Sequence, residues 1–235
     1  GANLYTERFG ADVQAIKVDG TTSSSGDEGH GVDIVVGDET LHFDQVILAL
    51  PPAQVNKLLP SQYKLPALES EFKGSVIACL DVCLKRLPNP DNGFAIGVDE
   101  PLYYSVHSLT ADLSQKPQHV VSLGYYLKDG EQGGDGHKER LYRLLDQLEP
   151  GWREELVFER YLPNMHASFG AASVKRGGLN GVEADHLPGL PDVYVAGDWV
   201  GRDHLIADAA VASALVAADK ILQARPVQDL AAVRT

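Results

Sequence analysis

The 235 residues are 44% hydrophobic and 23% charged, the make-up of an ordinary globular chain long enough for one large domain or two small ones. A net charge of -13 with no basic stretch to reverse it locally sets the chain against a phosphate backbone, so no nucleic acid is expected as a partner. No apolar run of about 18 residues occurs, so no integral membrane segment is expected, while peripheral contact with a membrane stays open.

The opening "GANLYTERFG" lacks an initiator Met, and the reading is of a chain whose beginning lies elsewhere. Residues 11–50 alternate like a small antiparallel sheet: "ADVQAIKVDG", a polar excursion "TTSSSGDEGHG", then "VDIVVGDETLHF" turning at Gly37-Asp38. "DQVILALPP" is a continuous apolar run stopped by prolines, the pattern of a strand buried on both faces. A short helical segment follows between Pro52 and Pro66.

"SVIACLDVCLKRL", "GFAIGV", "LYYSVHSL" and "HVVSLGYYL" then form a strand-rich block broken by Pro, Asn, Asp and Gly turns, a second and mainly antiparallel sheet. Cys79 and Cys83 lie four apart in its first strand, roughly 13 Å, too far for a direct disulfide. They read as small core hydrophobes rather than metal ligands, as suits a reducing cytoplasm. Leu141, Leu144, Leu145 and Leu148 make a helical stripe ended by Glu149-Pro150-Gly151, one amphipathic helix to cover that sheet. "ELVFERYLP" adds a strand, and "VKRGGLNGVEADHLPGLP" a loop.

The last stretch, "LPDVYVAGDWVGRDHLIADAAVASALVAADKIL", reads as a buried parallel strand, a Gly-Asp corner and an alanine-rich helix over about Leu205 to Leu222. Ligands of α/β sheets bind beyond the C-terminal ends of the strands. Asp198 stands where a polyol hydroxyl can donate to it, and the helix N-terminus favours a negative ligand atom. The same features also suit an ordinary strand-helix pair with Asp198 as a cap.

This stretch resembles the C-terminal flavin-binding signature of the flavin amine oxidase and phytoene desaturase superfamily. In that signature an Ala-Gly-Asp/Glu corner precedes a helix opening Glu-Gly-Ala and then Ser-Gly. Here Asp208-Ala209-Ala210 and Ser213-Ala214 take those places, with alanine for both glycines. "FDQVILALPP" and "GADVQAIKVDG" are similar to two further strands of the family, Val13 matching a valine whose backbone lies by the adenine. The phytoene desaturase branch is the nearer one in this resemblance, and no lysine here matches the flavin-side lysine of amine oxidases, which tells against amine substrates.

The resemblance implies FAD in the parent protein, with Val13, Gly197, Asp198, Trp199, Leu205, Ala207, Asp208 and Ala209 as cofactor contacts and no metal. Asp198 would bond the ribityl chain, and the helix opening at Ala207 and Asp208 would face the pyrimidine side of the ring. The implied reaction is hydride transfer from a small apolar substrate, isoprenoid or carotenoid-like, and no catalytic residue is assigned. A Gly-x-Gly-x-x-Gly turn for the pyrophosphate is absent from the chain. The reading is therefore of a C-terminal fragment, inactive alone, whose N-terminal half is a missing partner and whose exposed sheet edges promote self-association. A non-catalytic binding or assembly domain of the same fold is the rival.

Among bystanders, Asp203 reads as an N-cap and His204 as a first-turn residue. Neither Tyr103-Tyr104 nor Tyr125-Tyr126 can form an aromatic cage, since neighbours on a strand face opposite ways. The expected architecture is α+β or α/β: Rossmann-like FAD-domain pieces at 1–53 and 188–235 around an antiparallel-sheet substrate domain at 54–187 with its covering helix.

Overall fold

A computed structural model describes residues 12–18, 31–70, 72, 74–113, 117–170, 174, 177–178, 186–202 and 204–224. The polar excursion after residue 20 (apart from Gly31), most of the 174–185 loop and Asp203 lie outside the described residues. The fold is mixed α/β with antiparallel sheets, and the chain divides into two compact units, 1–73 with 168–235, and 74–167. The sequence reading placed its boundaries after 53 and after 187. Residues 54–73 sit with the first unit because Val55, Leu58, Leu59, Leu68 and Phe72 join its core.

The first unit opens with an antiparallel meander of β1 (Val13–Val18), β2 (Val32–Val36) and β3 (Glu39–Phe43). Val36 pairs with Glu39, leaving Gly37 and Asp38 as a two-residue hairpin loop. Gly37 has φ 60°, a left-handed value that such loops place on glycine. Ile16 and Val32 turn into the core.

A second sheet joins β4 (Val46–Leu48) in parallel to β11 (Leu190–Val195), which also pairs antiparallel with β10 (His186–Leu187). Val193, Tyr194 and Val195 are all buried. The expectation that β4 is buried on both faces does not hold, because Val46 and Leu48 are covered while Ile47 stays 39% exposed. At the sheet edge only the face toward the common core has cover among the described residues. Helix α1 (Pro52–Leu58) follows with Pro52 in its first turn, where a missing N–H costs nothing.

Helix α5 (Ile206–Ala224) closes the unit, burying Ala209, Ser213 and Ala217 at four-residue spacing. Its other sides leave Val211, Leu215 and Leu222 more than half exposed. Ile206 enters the helix at φ 53°, a backbone region a β-branched side chain rarely takes.

The second unit is a five-stranded sheet in the order β6-β7-β8-β5-β9, formed by β5 (Ser75–Leu84), β6 (Phe94–Ile96), β7 (Leu102–Val106), β8 (His119–Tyr126) and β9 (Leu156–Ser168). Strand β9 runs past Pro163, where the sequence suggested a stop. Proline is tolerated because β9 is an edge strand. Ala78, Leu80, Val82 and Leu84 alternate onto one face, and α3 (Asp135–Leu148) lays the fully buried Leu141 and Leu145 against it. Burying each leucine contributes about 1.5–3 kcal/mol.

Glu149, which ends α3, is fully buried. Its carboxyl group accepts the Tyr104 hydroxyl at 2.7 Å and the Asn89 N–H at 2.8 Å. Burial, and then this carboxyl, push the Tyr104 hydroxyl well above the ordinary tyrosine range. Beside it Trp152 opens the short α4 (Trp152–Glu155) and donates from Nε1 to Asp146. Tyr103 packs edge-on to Phe94, and Tyr126 is 44% exposed.

Candidate functional site

In the first unit the parallel ladder extends one bond past β11, from the Ala196 N–H to the Leu48 carbonyl. The chain then turns at Gly197. A Cβ there would meet Trp199 Nε1 at 2.6 Å, so glycine is what lets the indole fold beneath the corner. Trp199 is 2% exposed, donates from Nε1 to the Leu50 carbonyl at 3.1 Å and packs edge-on to Phe72 at 5.6 Å. Its role here is to tie the corner to the end of β4.

Helix α5 is clamped to the same corner by one hydroxyl. Ser213 Oγ accepts the Gly197 N–H at 3.0 Å and donates to the Gly197 or Ala210 carbonyl. With alanines at 209 and 217 on the same buried face, little side-chain bulk separates helix from strand.

Asp198 is held from a distant part of the sequence. Its Oδ2 accepts the Ser168 hydroxyl at 2.7 Å, the Phe169 N–H at 2.8 Å and, at 3.4 Å, the Gly170 N–H. A Cβ on Gly170 would meet the Asp198 carbonyl oxygen at 1.9 Å, so this approach needs glycine. Among the described residues nothing donates to the other oxygen, Oδ1, which leaves it able to accept from a ligand.

These pieces surround a cleft of about 320 Å³ lined by Ala49, Leu50, Pro51, Phe169, Ala196, Gly197, Asp198, Trp199, Ala210 and Ala214. Its walls are mostly small and apolar, with one carboxylate at the corner. Of the residues singled out from the sequence, Gly197, Asp198 and Trp199 line it. Leu205, Ala207 and Asp208 are exposed, Ala209 is buried against the unit, and Val13 lies at the start of β1, 36% exposed; none of these five lines the cleft. Phe169 was not foreseen, and Ala210 and Ala214, which the resemblance placed in the flavin signature, were not among the residues named as contacts. The alanines carry no signal of their own on a helix apolar nearly all round, and Phe169 is brought in by contacts about 30 residues long. His204 is exposed just before α5. Among the described residues no His, Cys, Asp and Glu cluster is arranged to hold a metal.

A parallel strand ending in a Gly-Asp corner, closed by a small-residue helix, puts this cleft beyond the C-terminal end of the strands, where open α/β sheets bind ligands. The sequence profile of the flavin containing amine oxidoreductases matches residues 8–222, and the chain belongs to that family. Comparison with curated proteins returns no match.

Solved structures share the fold. An oxidoreductase from Methanosarcina mazei is 16% identical with a TM-score of 0.58, covering 89% of this chain and 49% of its own. A putative protoporphyrinogen oxidase from Exiguobacterium sp. 255-15 is 19% identical with a TM-score of 0.53, covering 90% and 46%. A redesigned putrescine oxidase is 14% identical with a TM-score of 0.56, covering 91% and 49%. The chain thus spans about half the length of the structures it matches.

Proposed function

We propose that this chain supplies the ribityl- and ring-holding part of an FAD-dependent oxidoreductase that oxidises an apolar, isoprenoid or carotenoid-like substrate. The observation that carries the reading is the Asp198 corner. One carboxylate oxygen is fixed by three donors of the protein, and the other is open beside a cleft with thin, apolar walls. That asymmetry suits a flavin: Oδ1 accepts a ribityl hydroxyl while the alanine and glycine surface receives a flat ring. Gly197, Trp199, Leu50, Ala210 and Ala214 are the residues proposed around it, and the outlying Val13, Leu205, Ala207, Asp208 and Ala209 remain proposed contacts on the family resemblance alone.

A bound flavin supplies two-electron, hydride-accepting chemistry. The chain's own contribution is to position and to exclude water. Asp198, immobilised by Ser168 and Phe169, holds its acceptor at a fixed place. Ser213 keeps α5 against the corner, and the N-terminal turn of α5 favours negative charge. The apolar substrate class rests on the resemblance to phytoene desaturases and on the lack of a lysine matching that of amine oxidases.

Titrating the chain with FAD tests this. Saturable quenching of flavin fluorescence and a yellow protein after gel filtration are expected, and Asp198→Ala is expected to weaken binding about tenfold, the loss of a hydrogen bond to a charged group. A chain that stays colourless with excess FAD would favour the rival, a domain of this fold without catalysis, or a mere fragment.

A further inference from the structure

We propose that the face of the five-stranded sheet opposite α3 carries a binding site for the carboxylate end of an apolar molecule, with Arg160 as its anchor. Strand parity sends Cys79, Asp81 and Cys83 of β5, and Val120 and Ser122 of β8, to the side away from the leucines of α3. Asp81 and Ser122 are direct cross-strand partners. With Phe158 and Arg160 of β9 they line a cleft of about 360 Å³ that also includes His107 and Val82, within the size range of small-molecule sites.

The hydrogen bonds decide the chemistry. Asp81 Oδ1 accepts the Ser122 hydroxyl at 2.8 Å and the Cys79 thiol at 3.6 Å, and Oδ2 accepts Arg160 Nη2 at 2.7 Å and Nε at 3.3 Å. Four donors fill the roughly four lone-pair sites of a carboxylate. An incoming amine or hydroxyl therefore finds no vacant acceptor there.

Arg160 is in the opposite condition. One edge of its guanidinium is fixed on Asp81, its side chain is 58% exposed, and Nη1 meets no acceptor among the described residues. A guanidinium held by one edge presents the other in a preset fork, which matches a carboxylate in two parallel bonds. Two residues away on the same strand face, Phe158 is 60% exposed, and with Val120 it offers an apolar wall. Donors at one end and hydrocarbon along the side describe an acid with an apolar body. A protonated amine is repelled by the same cation. That the bound acid is the molecule oxidised rests on the flavin reading above; the binding site does not.

Cys83 reports occupancy. The chain has two cysteines; Cys79 is buried, its thiol pushed up to about 12 by burial and by Asp81, whereas Cys83 lines the cleft. The experiment follows N-ethylmaleimide labelling of Cys83, without flavin, in the presence of phenylbutyrate, phenylbutylamine or phenylbutanol. Phenylbutyrate is expected to slow labelling in a saturable way, with the amine and alcohol about tenfold weaker. Arg160→Gln is expected to abolish the preference for the acid. Asp81→Asn, which keeps the guanidinium and removes its counter-charge, is expected to retain or strengthen it. Melting curves confirm that both variants are folded. Equal protection by the three probes, no protection by any, or an acid preference surviving Arg160→Gln overturns the proposal. Because no flavin is present, each of these outcomes leaves the FAD titration standing, and a colourless chain leaves this test standing.

Discussion

The two clefts are built by opposite means. In 74–167 the site is written in side chains on a continuous sheet: Asp81, Ser122 and Arg160 project from three neighbouring strands whose far face is sealed by α3. In the other unit the site is written in backbone and small residues. It gathers chain from around positions 50, 169, 197 and 210, while β4 keeps one open face and α5 leaves apolar side chains in water. A site made of side chains can be retuned one residue at a time. A site made of close approaches depends on every glycine, alanine and serine that permits them.

The largest expected effect is at the sealed face. Leu141→Ala removes a fully buried side chain and is expected to cost about 2–5 kcal/mol, read from urea denaturation. Hydrogen exchange should show the loss confined to 74–167; equal loosening of β11 would break the comparison. Next comes Ser213→Ala, which leaves the partly buried Gly197 N–H without its acceptor. About 1 kcal/mol is expected, with faster exchange at Gly197 and little change at Leu141.

A smaller effect concerns pH. The Lys138 ammonium and the Tyr142 hydroxyl hold the Glu159 carboxyl below the usual range for glutamate. A depressed pKa gives stability that is present above the ordinary value of about 4.3 and is lost as pH falls through the lower folded value. Glu159→Gln should flatten that part of the acid limb of the melting curve, modestly because the pair is partly exposed. An unchanged acid limb would show that the ion pair does not contribute to acid stability.

Much of this was legible in the residues. The α3 stripe, the turn at Gly37 and the parallel strand ending at Gly197 follow from periodicity and from where only glycine fits. The partners of Asp198 were not legible, since Ser168 and Phe169 lie about 30 residues away and neither carries a local signal. Nor was the register of α5. A helix that is apolar nearly all round has no polar stripe to mark which alanines face inward, so 210 and 214 line the cleft while 207 and 208 lie outside. The Asp81–Arg160 pair spans 79 positions, beyond anything spacing can reveal.

Glu149 gives the side-chain unit one further property. Its buried carboxyl is satisfied only when the turn at Asn89, the hydroxyl on β7 and the end of α3 have all arrived. With any one absent, a polar group would be sealed away with an unmet bond, at a cost of a few kcal/mol. The three segments are thus interlocked like the tumblers of a lock, and partial assembly of this sheet is penalised at the point where its helix ends.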